Sequence, residues 1–102
     1  MRLVEYVKAQ FDKGRKMRPI DLRSADEYQR GHLPGARSVP LTELPARFAE
    51  VPTTNRVVLY YDWSPAEVEL AYRFLKGQRY RNLNMMGERY KAWTERGHPI
   101  EQ

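Results

Sequence analysis

The chain contains no cysteine among its 102 residues. This absence excludes disulfide bonds, thiolate metal ligands and any mechanism that needs a thiol nucleophile. Because small secreted domains usually depend on disulfides, we expect a cytoplasmic protein. The chain also lacks an apolar run of about 20 residues, the length that a membrane-spanning helix needs. Residues 1–10 lack the apolar segment of a signal peptide, so we expect no membrane partner.

Motifs that bind phosphates or metals are missing as well. Neither G-x-x-x-x-G-K-S nor G-x-G-x-x-G occurs, which removes the common nucleotide-binding loops. His32 and His98 lie far apart, and no carboxylates are spaced around them as in a zinc site. Met85 and Met86 are interpreted as core residues beside a strand. The sequence therefore predicts no cofactor and no metal.

Basic residues exceed acidic residues, 18 to 13, which gives a net charge of +5. Such an excess fits a solvated surface and also fits an anionic partner. The segment Arg79-Tyr80-Arg81 places an aromatic ring between two cations, a pattern found on some nucleic-acid-binding surfaces. Nucleic-acid binding is therefore kept as an alternative, while a solvated connection between helix and strand is the preferred interpretation.

Apolar periodicity and turn residues predict helices that alternate with strands. Residues 57–61 form the clearest strand, because they are a continuous β-branched and aromatic run. Ser24 with Glu27 and Ser64 with Glu67 have the spacing of helix-capping boxes. Pro19 restricts an earlier strand, over 19–23, to beginning there or lying at a sheet edge. The alternation predicts a single α/β domain over residues 1–102 with a mostly parallel sheet.

Two groups of short motifs carry a family resemblance. They are Asp21-Leu22-Arg23, Glu27-Tyr28, Gly31-His32-Leu33-Pro34-Gly35-Ala36, Val39-Pro40, Ala92-Trp93 and Gly97-His98-Pro99-Ile100. On these motifs the chain resembles the rhodanese homology domain over nearly its whole length. The resemblance implies a rhodanese-like sandwich, a central mostly parallel sheet flanked by helices on both faces. It also implies that Asp21, Arg23, Glu27 and His32 form a polar brace, without a catalytic role for His32.

In active members of that family, a nucleophilic cysteine follows the central strand and carries sulfur as a persulfide. The corresponding degenerate active-site loop here consists of Tyr61, Asp62, Trp63, Ser64, Pro65, Ala66 and Glu67. Alignment of Pro65 and Glu67 with the family variant Y-C-x-C-P-x-E places Asp62 at the nucleophile position. Counting forward from the strand places Tyr61 there instead. Asp62 is the preferred alternative, and because neither side chain carries sulfur we predict no catalytic residue.

Other departures from the family pattern concern the pocket. The loop lacks the usual arginine, and Glu88 and Arg89 stand where the family has a Gly-Gly pair, so we expect them to narrow or alter the pocket mouth. Trp63 is expected either to plug the pocket or to contact a partner. The Asp62 carboxylate is expected to satisfy loop amides and to repel thiosulfate or phosphate.

These features predict a catalytically inactive homologue of sulfurtransferases that serves as a binding or regulatory module, with a protein as one possible partner. The sequence identifies neither that partner nor an oligomeric state. One alternative is an enzyme with a non-cysteine site at Asp62 that acts on phosphate esters or other anions. The other alternative is a basic nucleic-acid-binding domain.

Overall fold

The apolar run Val57 to Tyr60 forms the central strand of a four-stranded parallel sheet. A computed structural model describes residues 4–14, 16–53, 56–62 and 65–102. The strands are β1 (Met17–Asp21), β2 (Arg37–Ser38), β3 (Arg56–Tyr60) and β4 (Leu83–Met85). The helices are α1 (Val4–Asp12), α2 (Ala25–Arg30), α3 (Leu44–Arg47), α4 (Pro65–Gly77) and α5 (Tyr90–Glu95), and short 3-10 turns flank α3.

The strand order in the sheet is β2-β1-β3-β4, and each pairing between these strands is parallel. In the register, Met17 lies opposite Arg56 and Val57 lies opposite Leu83. The carboxyl ends of β1 and β3 therefore meet at one edge of the sheet, and their amino ends meet at the other. The predicted α/β class and parallel sheet are confirmed.

Alternate residues of β3 point to two separate apolar cores. Val57 and Leu59 belong to a core that includes Val68, Ala71 and Leu75 of α4. The other core consists of Val4, Val7, Leu33, Ala36, Val58, Tyr60, Met86, Tyr90 and Trp93. Helices α4 and α3 thus cover one face of the sheet, and α1 and α5 cover the other. This arrangement confirms helices on both faces of the sheet.

Pro19 lies inside β1, so the prediction that it begins a strand or lies at a sheet edge is wrong. Its partner Val58 belongs to β3, on one side of β1. On the other side, β2 pairs only with Ile20 and Asp21. Because β2 is so short, no strand residue faces Pro19 there, and its missing N–H removes no ladder hydrogen bond.

Local side-chain hydrogen bonds set the ends of several elements. The Ser24–Glu27 capping box is present at α2 and confirms that prediction, whereas the predicted Ser64 cap lies outside the described residues. β1 ends at Asp21 because its Oδ1 accepts the backbone N–H of Arg23 at 2.9 Å and turns the chain. No helix in the described part of the chain is long and apolar enough to cross a membrane.

Candidate functional site

A buried ion pair supports the carboxyl edge of the sheet. Arg23 donates to Asp21 through Nη2 at 2.7 Å and through Nε at 3.0 and 3.2 Å. Asp21 is 0% exposed and Arg23 is 3% exposed. Burying two charges is costly unless both are fully hydrogen-bonded, and here the backbone carbonyl of Gly31 also accepts Arg23 Nη2 at 2.6 Å. The pair therefore fixes the start of α2 and its exit at Gly31 relative to β1.

Tyr60 completes this buried network. Its hydroxyl donates to Asp21 Oδ2 at 2.7 Å and accepts the backbone N–H of Leu33 at 3.2 Å. Burial and the nearby Asp21 carboxylate raise the pKa of Tyr60, so the phenol keeps the proton that it donates. Burial alone would lower the pKa of Arg23, but the hydrogen bond and charge of Asp21 raise it. Arg23 therefore stays charged.

A cavity of about 290 Å³ opens beside this network. The segment from β1 through α2 contributes Arg23, Glu27, Arg30 and Gly31, and α5 contributes Tyr90, Lys91 and Thr94. Asp62, just after β3, completes the lining. Arg30 and Lys91 are balanced by Glu27 and Asp62, while Arg23 is already paired with Asp21. The cavity thus carries no net charge from these side chains.

The Asp62 carboxylate lies against the first turn of α5. Its Oδ1 accepts the backbone N–H of Lys91 at 3.3 Å. The carbonyl of Tyr61 accepts the N–H of Tyr90 at 3.2 Å, which holds the same segment against α5. Among the described residues, the amide that Asp62 contacts belongs to α5. Residues 63 and 64 of its own loop lie outside the described residues, so the expectation that Asp62 satisfies the loop amides stays a prediction.

Tyr61 and Asp62 point in different directions. The Tyr61 ring packs against the core beneath α4, and burial together with the carboxylates of Glu67 and Glu27 raises its pKa. Asp62 lines the cavity beside Tyr90 and Lys91. Of the two alternatives for the nucleophile position, Asp62 is therefore the residue whose side chain reaches the pocket.

The rest of the predicted loop contributes less. Ala66 is exposed on a shallow groove with Glu69, Leu70 and Arg73, and Glu67 is half-buried; neither Ala66 nor Glu67 lines the cavity. Pro65 begins α4. Trp63 and Ser64 lie outside the described residues, so the expectation that Trp63 plugs the pocket or contacts a partner stays a prediction.

Glu88 and Arg89 are not among the described residues that line the cavity, so the expectation that they narrow or alter its mouth stays a prediction. Glu88 Oε1 accepts the backbone N–H of Val4 at 2.9 Å, and its Oε2 lies 2.6 Å from Arg96 Nη2. The hydrogen bonds from Arg96 and from Val4 lower the pKa of Glu88. This side chain therefore connects α1 with the end of α5. Arg89 is exposed and does not line the cavity.

The residues at this site differ in part from those that the sequence predicted. His32 lies outside the contacts of the Asp21–Arg23 pair, because its ring stacks on Tyr28 and its Nδ1 lies 2.8 Å from the Tyr28 carbonyl oxygen. Arg30, Lys91 and Thr94 were not predicted. Their spacing offers a weak indication, since Glu27 with Arg30, and Lys91 with Thr94, are three residues apart on one helix face. Within the described ranges, no three His, Asp or Glu side chains gather as a metal site would require.

Comparison with known proteins identifies the family. The family model described as "Rhodanese-like domain" matches residues 3–96. The chain belongs to the rhodanese-like domain family. The fold agrees: the crystal structure of the Alr3790 protein from Anabaena is similar with a TM-score of 0.86 and 20% identity, over 98% of this chain and 79% of that one.

Two curated relatives from bacteria are similar in sequence. An uncharacterized protein, YqhL of Bacillus subtilis, is 34% identical over 79 residues, which are 78% of this chain and 62% of YqhL. A sulfurtransferase of Allochromatium vinosum is 35% identical over 82 residues, covering 79% of this chain and 75% of the relative. The chain thus spans less than two thirds of YqhL. Without a cysteine, this rhodanese-like domain cannot form a cysteine persulfide.

Proposed function

We propose that this rhodanese-like domain is a non-catalytic binding or regulatory module whose ligand site is the cavity beside Asp62. One observation carries the proposal: the cavity lies beside the buried Asp21–Arg23–Tyr60 network, and the Asp62 carboxylate lines it just after β3. The proposal treats residues 1–102 as one domain of a cytoplasmic protein.

The charge of Asp62 supports selection against the family's anionic sulfur donors. Its carboxylate already accepts the Lys91 amide, which an incoming anion would otherwise use. Glu27 adds a second negative charge to the lining, and like charges at short range repel. Arg30 and Lys91 provide the opposite charge. This mixed lining favours a polar or zwitterionic ligand, such as side chains of a protein partner, over thiosulfate.

Both alternative functions receive less support from the geometry. Glu27, the other carboxylate in the cavity, accepts hydrogen bonds from Ser24 in the α2 capping box, which leaves Asp62 without a free carboxylate partner for acid–base chemistry. The Tyr80 ring is 7% exposed, so it offers no face for stacking on a nucleic-acid base.

The test combines an activity assay with a binding assay. Incubation of the chain with thiosulfate and cyanide should give no thiocyanate above a protein-free blank, and sustained turnover would refute the proposal. In NMR titrations, thiosulfate should shift the amides of Gly31 and Lys91 weakly in the native chain and more strongly in Asp62→Asn. Equal shifts in both proteins would show that Asp62 does not exclude anions.

Cysteine substitutions test the position of the nucleophile. Asp62→Cys should place a thiol beside the Lys91 amide and lower the pKa of that thiol. The thiolate should then attack the outer sulfur of thiosulfate, break its S–S bond and release sulfite, which leaves a persulfide that mass spectrometry detects. Tyr61→Cys is the matched control, because that side chain packs against the core. A persulfide on the Tyr61→Cys protein alone would refute the assignment of the pocket position to Asp62.

A further inference from the structure

A second cavity lies at the opposite edge of the sheet, where β3 and β4 begin. Its volume is about 240 Å³, and its lining consists of Tyr6, Arg56, Arg81, Asn82, Leu83 and Asn84. The register explains the arrangement, because Val57 pairs with Leu83 and the Val57 N–H donates to the Asn82 carbonyl at 2.8 Å. Arg56 is therefore held beside the segment that carries Arg81.

Hydrogen-bond donors without partners concentrate in this cavity. Neither Arg56 nor Arg81 forms an ion pair with a residue in the described part of the chain. The side-chain amides of Asn82 and Asn84 likewise make no hydrogen bond within that part. No carboxylate is among the described residues that line the cavity. The lining thus offers two guanidinium groups and two amides, with no acidic group to oppose them.

The absence of a carboxylate distinguishes this cavity. Carboxylates pair with Arg23, Arg37, Arg47, Arg73 and Arg96. Other arginines also form no ion pair among the described residues, namely Arg18, Arg30, Arg79 and Arg89, but Arg56 and Arg81 line one cavity together with no carboxylate among its described lining residues. Two lysines add positive charge near the second cavity. The Lys76 ammonium lies 3.4 Å from the Arg81 carbonyl oxygen. Lys16 directly precedes Met17, which lies opposite Arg56 in the sheet. Part of the net charge of +5 is therefore located at this edge of the sheet.

We propose that this amino-edge cavity binds a tetrahedral oxyanion, namely inorganic phosphate or the phosphate group of a small molecule. A guanidinium donates two parallel hydrogen bonds that match phosphate geometry, and two of them can share one dianion. The volume is below the range of about 300–1,000 Å³ usual for drug-sized ligands, which fits a small ion or a single phosphate group. Because Tyr80 is buried, the chemistry favours a phosphate group over a nucleic-acid strand.

The proposal is tested by NMR titration of the full chain with inorganic phosphate and with glycerol 3-phosphate, at constant ionic strength. Saturable shifts are expected at the amides of Arg56 and residues 81–84. Arg56→Gln and Arg81→Gln should each weaken binding about tenfold or more, because each removes charge-assisted hydrogen bonds. Arg73→Gln, an arginine paired with Glu69 on α4, is the matched control and should leave binding unchanged.

The two ligands also distinguish the source of the phosphate. Equal affinity indicates a site for free phosphate, and tighter binding of the ester indicates a small phosphorylated molecule; both results support the proposal. Linear, unsaturated shifts, or equal binding by native protein and Arg56→Gln, would overturn it. It would also be overturned if the shifts mapped to Arg30 and Lys91, or if an oligonucleotide bound while neither phosphate ligand did.

Discussion

The guanidinium carbon of Arg23 lies 3.8 Å from the centroid of the Tyr90 ring. The same guanidinium group pairs with Asp21 through its nitrogen atoms. One interaction comes from the end of β1, and the other comes from the first residue of α5. Arg23 therefore connects the buried Asp21–Arg23–Tyr60 network with α5, the helix that forms one wall of the Asp62 cavity.

Replacing the Tyr90 ring should destabilise the fold. Tyr90→Leu removes a cation–π contact, which contributes about 2 kcal/mol when desolvated, and leaves a gap in the core. We expect urea denaturation to show a loss of about 2 kcal/mol or more. Tyr90→Phe keeps a ring over Arg23 and serves as the control, with a smaller loss. Equal losses for the two variants would show that the ring contributes nothing through Arg23.

Gly31 packs so closely against Tyr90 that an added methyl group would collide with it. A Cβ at this position would lie 2.9 Å from the Tyr90 hydroxyl and 3.0 Å from Ile100 Cδ1. Gly31→Ala should therefore cost about 1–3 kcal/mol of stability, as overpacking of a filled site usually does. Thermal unfolding measures this loss directly.

A double variant and a control isolate the cause. Adding Tyr90→Phe to Gly31→Ala removes the hydroxyl and should recover part of the loss, so the two changes should not be additive. Gly77→Ala, in α4, meets no atom within 4 Å and should be neutral or stabilising. Strict additivity of the two changes would place the strain of Gly31→Ala elsewhere, at Ile100 for example.

The fold could be predicted largely because its strongest local patterns agree with its tertiary structure. The run Val57 to Tyr60 is apolar without interruption and lies between two helical layers. Ser24 and Glu27 have the spacing of a capping box and form one. Pro19 was misjudged because the length of β2, which decides whether the missing N–H matters, is a tertiary property.

The site could be predicted less completely. Alignment of Pro65 and Glu67 with the family variant favoured Asp62 over Tyr61, and Asp62 is the one of the two that lines the cavity. Arg30 of α2 and Lys91 of α5 line the same cavity, and nothing in their sequence context shows that tertiary relationship. Arg56 and Arg81 likewise line one cavity through the register of β3 with β4, which the sequence does not show.

The buried ion pair should be far more sensitive to mutation than exposed pairs. Asp21→Ala leaves the Arg23 charge buried without its partner, which costs about 3–5 kcal/mol. Tyr60→Phe removes one buried hydrogen bond and should cost about 1–2 kcal/mol. The matched control is Glu69→Ala, which breaks an exposed pair with Arg73 and should cost less than about 1 kcal/mol. Similar losses for Asp21→Ala and Glu69→Ala in urea denaturation would contradict this prediction.

Glu50 should make the stability of the domain depend on pH in acid. Hydrogen bonds from Arg47 and Arg37 lower the pKa of Glu50 from 4.5 to about 2. A carboxylate whose pKa is lower in the folded state stabilises the fold above its unfolded pKa and loses that contribution as pH falls. The free energy of unfolding should therefore decrease from pH 4.5 to about 2, in the window set by this shift.

Substitution and salt together test whether Glu50 causes that decrease. Glu50→Gln cannot ionise, so it should be less stable than the native chain at pH 6, and the difference should shrink as pH falls towards 2. The Glu50 side chain is 32% exposed, so salt should weaken the effect by screening its pairs with Arg37 and Arg47. Glu95→Gln is the control, because Glu95 has no ion-pair partner among the described residues. If the free energies of unfolding of the native chain and Glu50→Gln fall in parallel from pH 6 to 2, the acid sensitivity has another origin. Glu88 is then the next candidate, because Arg96 lowers its pKa.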